Sequence, residues 1–212
     1  MGIKCFIFDL DGVICFTDEY HYLAWKEMAD ELGTYFDREI NNRLRGVSRM
    51  ASLDIILERY EGPTLSQADK EALATKKNDI YRSLLSRMTP ADLPAEVKET
   101  LDTLREKGML LAIGSSSKNA PYILERIGLD NYFDAISDGN NITRSKPDPE
   151  VFLKAAQFLN MIPEECIVVE DAVAGAEAGH AGGFTVACVG DAAQQKAGHH
   201  NMSSIRELIT LV

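Results

Sequence analysis

The chain has 212 residues, 45% hydrophobic and 26% charged, with a formal net charge of −11. That is the composition of a globular protein able to bury a sizeable core, and its acidity argues against nucleic acid or an anionic membrane as a partner. No apolar run approaches the ~18 residues of a membrane span, and no basic-then-apolar signal region opens the chain, so a reducing cytoplasm is the expected setting. An anionic small substrate would need a local cluster of Lys and Arg, or a metal, to offset the charge. The four cysteines, Cys5, Cys15, Cys166 and Cys188, are widely spaced. They read as small core hydrophobes, not as a disulfide framework or metal cluster.

The first element is the apolar run Ile3–Leu10, continuous where a half-exposed strand would alternate, as expected of a strand buried on both faces. From Thr17 to about Arg87 no such run occurs. Tyr20, Leu23 and Ala24, then Leu53, Ile56 and Leu57, then Ile80, Leu84 and Leu85 recur at helical spacing, predicting a helical insertion that rejoins the core near Met88–Pro94. Further strands are predicted at Met109–Ile113, Phe133–Ile136, Cys166–Val169 and Phe184–Val189. Between them lie helical segments: one carrying Leu101 and Leu104 and stopped by Gly108, then Ala120–Ile127, Glu150–Leu159 and Ala172–Ala181. Alternating strand and helix predicts an α/β fold with a parallel sheet covered on both faces. Residues 1–16 and 88–212 would form that core and 17–87 a helical cap. The polar segment around His199 and His200 is expected to be a loop, and the tail after Gly190 is assigned no role.

Ligands of open parallel sheets bind beyond the carboxyl ends of the strands. Asp9 and Asp11 follow the first predicted strand, with Gly12 next. Ser115, Ser116 and Ser117 follow the second, Lys146 the third after a loop, and Glu170 and Asp171 the fourth. Acidic, hydroxyl and ammonium groups thus converge on one rim from four segments. Each acidic pair taken alone could simply start a helix, since acids favour N-termini. Two pairs on one rim repel unless a cation lies between them or one carboxylate bonds elsewhere; a hard cation with oxygen ligands is the simplest resolution, and partly hydrated magnesium suits a phosphoryl site.

FDLDGV at 8–13 resembles the first motif of the haloacid dehalogenase superfamily of phosphohydrolases and phosphomutases. Ser115 resembles its second motif, Lys146 in SKPDP its third, and VVEDA at 168–172 its fourth, in order and over nearly the whole chain. The resemblance implies a Rossmann-like core with an inserted helical cap. It implies that Asp9 is the nucleophile forming an aspartyl phosphate and Asp11 the general acid and base. Asp9, the backbone carbonyl of Asp11, Glu170 and Asp171 would hold Mg2+, and Ser115 and Lys146 would stabilise the transferring phosphoryl group. The chemistry agrees: a carboxylate attacks a phosphate dianion only when that charge is offset by a metal and a cationic side chain.

The insertion is similar to that of the superfamily's beta-phosphoglucomutase family. Thr17, His21 and Trp25 recur every four residues and share a helix face. By resemblance His21 binds the loop carrying Asp11 and couples sugar binding to cap closure, while Trp25 walls the sugar site. Ser48 reads as a helix N-cap. Gly46, Val47, Ser48 and Arg49, with Ser52 beyond, would hold the non-reacting phosphate on free N–H groups and a charged fork. Lys77, chosen over its neighbour Lys76 on register alone, with Asn78, and Ser116, Ser117, Lys118 and Asn119 would reach the substrate. The implied reaction interconverts beta-D-glucose 1-phosphate and glucose 6-phosphate, with beta-glucose 1,6-bisphosphate as activating intermediate. The expected partner is a small-molecule sugar phosphate, and the expected state a monomer. One departure is Phe16, where the family often carries an aspartate at the hinge. The alternatives at this level are a sugar-phosphate phosphatase of the same superfamily, a non-catalytic sugar-phosphate binding module, and a mutase of another sugar phosphate.

Overall fold

The computed structural model describes residues 2–212; Met1, the first residue of the expected core segment, lies outside the described residues. The chain runs from β1 (Cys5–Phe8) into four helices, α1 (Asp18–Leu32), α2 (Arg38–Asn42), α3 (Arg49–Leu57) and α4 (Gln67–Leu85). It continues as α5 (Ala95–Glu106), β2 (Leu110–Gly114), α6 (Ala120–Arg126), β3 (Ala135–Ser137) and α7 (Glu150–Phe158). β4 (Cys166–Glu170), α8 (Val173–Ala181), β5 (Thr185–Cys188), α9 (Gly190–Gln194) and β6 (His200–Asn201) follow, and the 3-10 segment Ile205–Leu211 ends the chain.

Among the described residues the six strands form one parallel sheet in the order β3-β2-β1-β4-β5-β6. β1 lies between β2 and β4, where the strand order reverses. Its register pairs Phe6 with Leu111 and Ile167, and Ile7 with Ala112 and Val168. Phe6, Phe8, Leu111, Ile113, Ile167 and Val169 therefore share one face, under Leu101 and Leu104 of α5, Ile123 and Leu124 of α6, and Ile205 and Leu208. Cys5, Ile7, Ala112, Cys166 and Val168 share the other, under Val151, Phe152 and Ala155 of α7 and Ala178 of α8. With both faces covered, no position of β1 faces water, so its sequence is apolar without alternation.

α1 to α4 bury an apolar cluster of their own, including Trp25, Met28, Phe36, Ile40, Leu53 and Ile56. The ends of α1 and α4 nearest the sheet behave differently. Ala24, Tyr81 and Leu85, with the partly buried Tyr20, Ile80 and Leu84, join the cluster on the Phe6 face of the sheet. Burying a side chain such as Leu85 stabilises by ~1.5–3 kcal/mol, so the foot of the helical insertion is packed into the core. Two local expectations shift. Phe133 is a core side chain outside the ladder, and β3 begins two residues later, at Ala135. The segment expected to be a loop contains β6, whose His200 and Asn201 pair with Ala187 and Cys188; two polar residues at a sheet edge carry no hydrophobic period.

Candidate active site

The floor of the site is built where the strands end. Asp9 follows β1, and its N–H still bonds the Val169 carbonyl at 2.9 Å, so its backbone is pinned in the sheet while its carboxylate clears it. Ser115 follows β2, with its N–H on the Ser137 carbonyl at 3.0 Å. Glu170 is the last residue of β4 and Asp171 the next. Lys146 comes from the loop before α7 and donates to Asp9 Oδ1 at 2.7 Å and to Glu170 Oε1. Its side chain is 1% exposed. Burial alone would lower this ammonium's pKa; the Asp9 and Glu170 carboxylates instead hold it above its ordinary value. The second Glu170 oxygen accepts the N–H groups of Asp171 at 3.0 Å and Ala172 at 3.1 Å.

Asp9, Glu170 and Asp171 each turn an oxygen toward a common point, all within 4.8 Å of one another. An all-oxygen, anionic donor set suits a hard cation such as Mg2+. Burial, then the Glu170 and Asp9 charges, push the Asp171 carboxyl up to about 8, a repulsion that a divalent cation would relieve. The Asp11 side chain does not belong to this group. Gly12 lets the loop approach so closely: its backbone is left-handed at φ +87°, and a Cβ there would lie 2.1 Å from Asp171 Oδ2.

The Asp11 carboxylate accepts a hydrogen bond from the Thr17 hydroxyl, which accepts one from Tyr81 at 3.1 Å. Thr17 precedes α1 but makes no side-chain cap to it; its hydroxyl serves Asp11 instead. Burial first, and the neighbouring Asp9, push the Asp11 carboxyl up to about 7, and an acid poised there can give and take a proton near neutrality. The contact expected between His21 and the Asp11 loop is thus made by Thr17. His21 stacks on Tyr81 with ring centroids 4.1 Å apart, and its Nδ1 lies 2.9 Å from the Lys77 ammonium. Burial, with the charges of Lys77 and Arg49, lowers its pKa well below the ordinary value, which favours a neutral ring able to accept a hydrogen bond from Lys77 at Nδ1.

Lys77 is 3% exposed, with its ammonium 4.7 Å from the Trp25 centroid and 4.4 Å from that of Tyr81. Lys76 points outward to an exposed pair with Glu31, whereas Lys77 lines the cavity. Arg49 donates to Asn78 Oδ1 at 2.7 Å, the same oxygen accepts from Asn119 at 3.0 Å, and Arg82 donates to Asn119 at 3.1 Å. This chain of amides joins α4 to the start of α6. Ser48 caps α3, accepting the Ala51 N–H at 3.2 Å. Among the described residues no carboxylate pairs with Lys77 or Arg49, and burial lowers the pKa of both. Two half-buried to buried cations without counter-ions form a site for an anion.

Floor and cap enclose a cavity of about 610 Å³. Asp9, Asp11, Ser115, Ser116, Ser117, Lys118, Asn119, Lys146 and Asp171 line it from the sheet side. His21, Trp25, Gly46, Val47, Ser48, Arg49, Ser52 and Lys77 line it from the helical side. Thr17 and Glu170 are buried behind the wall and act on it through Asp11 and Lys146. Tyr81 and Asn78 also line it. Asn78 is expected there with Lys77, but Tyr81 was not marked in the sequence, although it lies four residues beyond Lys77 on α4, a helical spacing that would have found it.

Residues 3–183 match the family described as haloacid dehalogenase-like hydrolase. A beta-phosphoglucomutase of Bacillus subtilis strain 168 is 42% identical over 189 residues, 89% of this chain and 84% of that protein. A fructose-1-phosphate phosphatase of Escherichia coli K12 is 34% identical over 181 residues, 84% of this chain and 92% of that one. Among solved structures, a beta-phosphoglucomutase from Clostridium difficile superposes with a TM-score of 0.91 at 36% identity, covering 97% of this chain and 93% of its own.

Proposed function

We propose that this chain, which belongs to the haloacid dehalogenase-like hydrolase family, is a beta-phosphoglucomutase interconverting beta-D-glucose 1-phosphate and glucose 6-phosphate. One observation carries the reading. A single cavity holds Asp9 with Lys146 at its floor and a second pair of cations without carboxylate partners, Arg49 and Lys77, in the helical insertion. Hydrolysis of a small monoester needs only the floor. A sugar bisphosphate presents one phosphate to each.

In this reading the Asp9 carboxylate attacks one phosphorus of beta-glucose 1,6-bisphosphate. The bond from phosphorus to the sugar oxygen breaks, and Asp11 gives that oxygen its proton. In the return step a sugar hydroxyl attacks the aspartyl phosphate, Asp11 takes the hydroxyl proton, and the Asp9 carboxylate is restored. Lys146 and Ser115 balance charge on the transferring group. Gly46, Val47, Ser48, Arg49, Ser52 and Lys77 hold the other phosphate; Trp25 and Asn119 bound the sugar, with Ser116, Ser117 and Lys118 beside the phosphate. Magnesium, held by Asp9, Glu170, Asp171 and the Asp11 backbone carbonyl, would offset phosphate charge. Closure of residues 17–87 over 1–16 and 88–212 excludes water from the aspartyl phosphate. Phe16, 66% exposed at the crossing between the two, bears on how tightly that closure is kept. No helix of the described residues is long and apolar enough to cross a membrane; the enzyme is read as a cytoplasmic monomer.

The test supplies beta-glucose 1-phosphate, magnesium and a trace of glucose 1,6-bisphosphate, and follows glucose 6-phosphate and inorganic phosphate separately. The expected result is glucose 6-phosphate from the beta anomer, none from the alpha anomer, little free phosphate, and no turnover by Asp9→Asn. Free phosphate without glucose 6-phosphate would overturn the mutase.

A further inference from the structure

Arg45 stands immediately before the Gly46–Arg49 loop, and carboxylates from three parts of the chain surround its guanidinium. Nη2 donates to Asp18 in the first turn of α1 and lies 3.6 Å from Asp171; Nη1 donates to Asp191 of α9 at 2.5 Å. Asp18 belongs to the helical insertion, whereas Asp171 and Asp191 extend from the far side of the sheet. The same loop touches the core twice more, once beyond β2 and once on α8. The Gly46 carbonyl accepts from Ser116 Oγ at 3.3 Å, and the Cβ position of Gly46 lies 3.7 Å from the Ala174 Cβ. Exposed ion pairs contribute little. Here the arginine is 26% exposed and its partners Asp18 and Asp191 47% and 57%, but the contact uses both arms of a planar fork and crosses the seam that must part when substrate enters.

We propose that Arg45 is a positioning residue that latches the cap onto the core, one arm anchored on Asp18 within the cap and the other grasping Asp191 of the core. Asp171 is the third corner of the grip, so the latch closes beside the reacting carboxylates, on the wall of the cavity. This role rests on the cap closure of the proposed function. Its first test is made without turnover, so the two can fail separately.

Trp25 is the single tryptophan of the chain. It lines the cavity and is 2% exposed, which makes its fluorescence a gauge of cap opening. In the substrate-free full-length protein, Arg45→Ala and Asp191→Asn should each raise the acrylamide quenching constant of Trp25 at least twofold. The double variant should go no further than Arg45→Ala, because both substitutions cut one bond. Arg45→Lys, which keeps the charge and loses the fork, should lie between. Far-ultraviolet circular dichroism and melting curves confirm that each variant is folded, and the exposed Asp191→Asn serves if Arg45→Ala is not. In turnover, the single variants should raise KM for the sugar phosphate at least threefold, and raise the share of phosphoryl groups lost to water, with a smaller change in kcat. Wild-type quenching in folded Arg45→Ala or Asp191→Asn, or additive effects in the double variant, overturns the latch. If the wild type proves to be a phosphatase, the mutase reading falls while the quenching experiment still judges Arg45.

Discussion

Replacing Gly12 by alanine tests the backbone and the carboxylate cluster together. The residue sits at φ +87°, and a methyl group there would lie 2.1 Å from Asp171 Oδ2 and 2.4 Å from its Cγ. Left-handed backbone costs an L-residue ~1–2 kcal/mol, or a melting point lower by ~2–8 °C for a chain of this size. The contact cannot be held, so the Asp171 carboxylate must swing away by about an ångström to restore ordinary van der Waals separation. That takes it out of the oxygen cluster with Asp9 and Glu170. The two effects separate by metal. In EDTA only the backbone cost should appear. In magnesium the stabilisation by bound cation should shrink as well, and a tenfold weaker affinity removes ~1.4 kcal/mol of it. Thermal unfolding in EDTA and across a magnesium titration, with calorimetric measurement of magnesium affinity, gives both terms. A variant that melts like wild type in EDTA and binds magnesium equally well would refute the strain argument and the role of Asp171. Equal destabilisation in both conditions would refute the role of Asp171 alone.

Lys146→Met leaves Asp9 and Glu170 buried without their shared cation, and should cost ~3–5 kcal/mol of stability; a loss under ~1 kcal/mol in urea unfolding would contradict the buried triad. Arg49→Ala removes one charged fork from a phosphate, worth ~1.5–3 kcal/mol, so kcat/KM for glucose 1-phosphate should fall roughly 10- to 150-fold. Phosphorylation of Asp9 by acetyl phosphate, which has no second phosphate, should hardly change; a parallel fall in both would place Arg49 at the reacting group. His21 is held neutral in the fold, with a pKa below its unfolded value. The unfolded chain therefore binds more protons below about pH 6.5. The contribution is fully present above that pH and is lost as pH falls, so wild type should lose more stability between pH 6.5 and 5 than His21→Gln. Parallel urea midpoints for the two proteins would show that the ring is not kept neutral.

β1, β2, β4 and β5 were legible because strands covered on both faces must be apolar throughout, and the strand-end rule then located Asp9, Ser115 and Asp171. β6 was not, since two polar edge residues have no period to read. The core half of the site lies within a residue or two of its strand ends. The cap half depends on pairs far apart in sequence: Lys77 against His21, 56 positions away, and Arg45 against Asp191, 146 positions away. Neither pair leaves a local pattern. Thr17 was marked by its spacing with His21 and Trp25, yet its hydroxyl on Asp11 and the Tyr81 bond behind it follow only from packing α1 against α4.

The foot of the insertion shares the sheet's own cluster through Ala24, Tyr81 and Leu85. Swapping substrate specificity between relatives by splicing at residues 16 and 88 would therefore transplant a piece of the recipient's foundation along with the lid. A chimera cut there brings foreign side chains against Phe6, Phe8 and Leu101, and its yield will follow how well those volumes match. Grafts cut above Ala24 and before Lys77, exchanging only the upper helices, leave that seam native and separate the question of what the enzyme recognises from whether it folds.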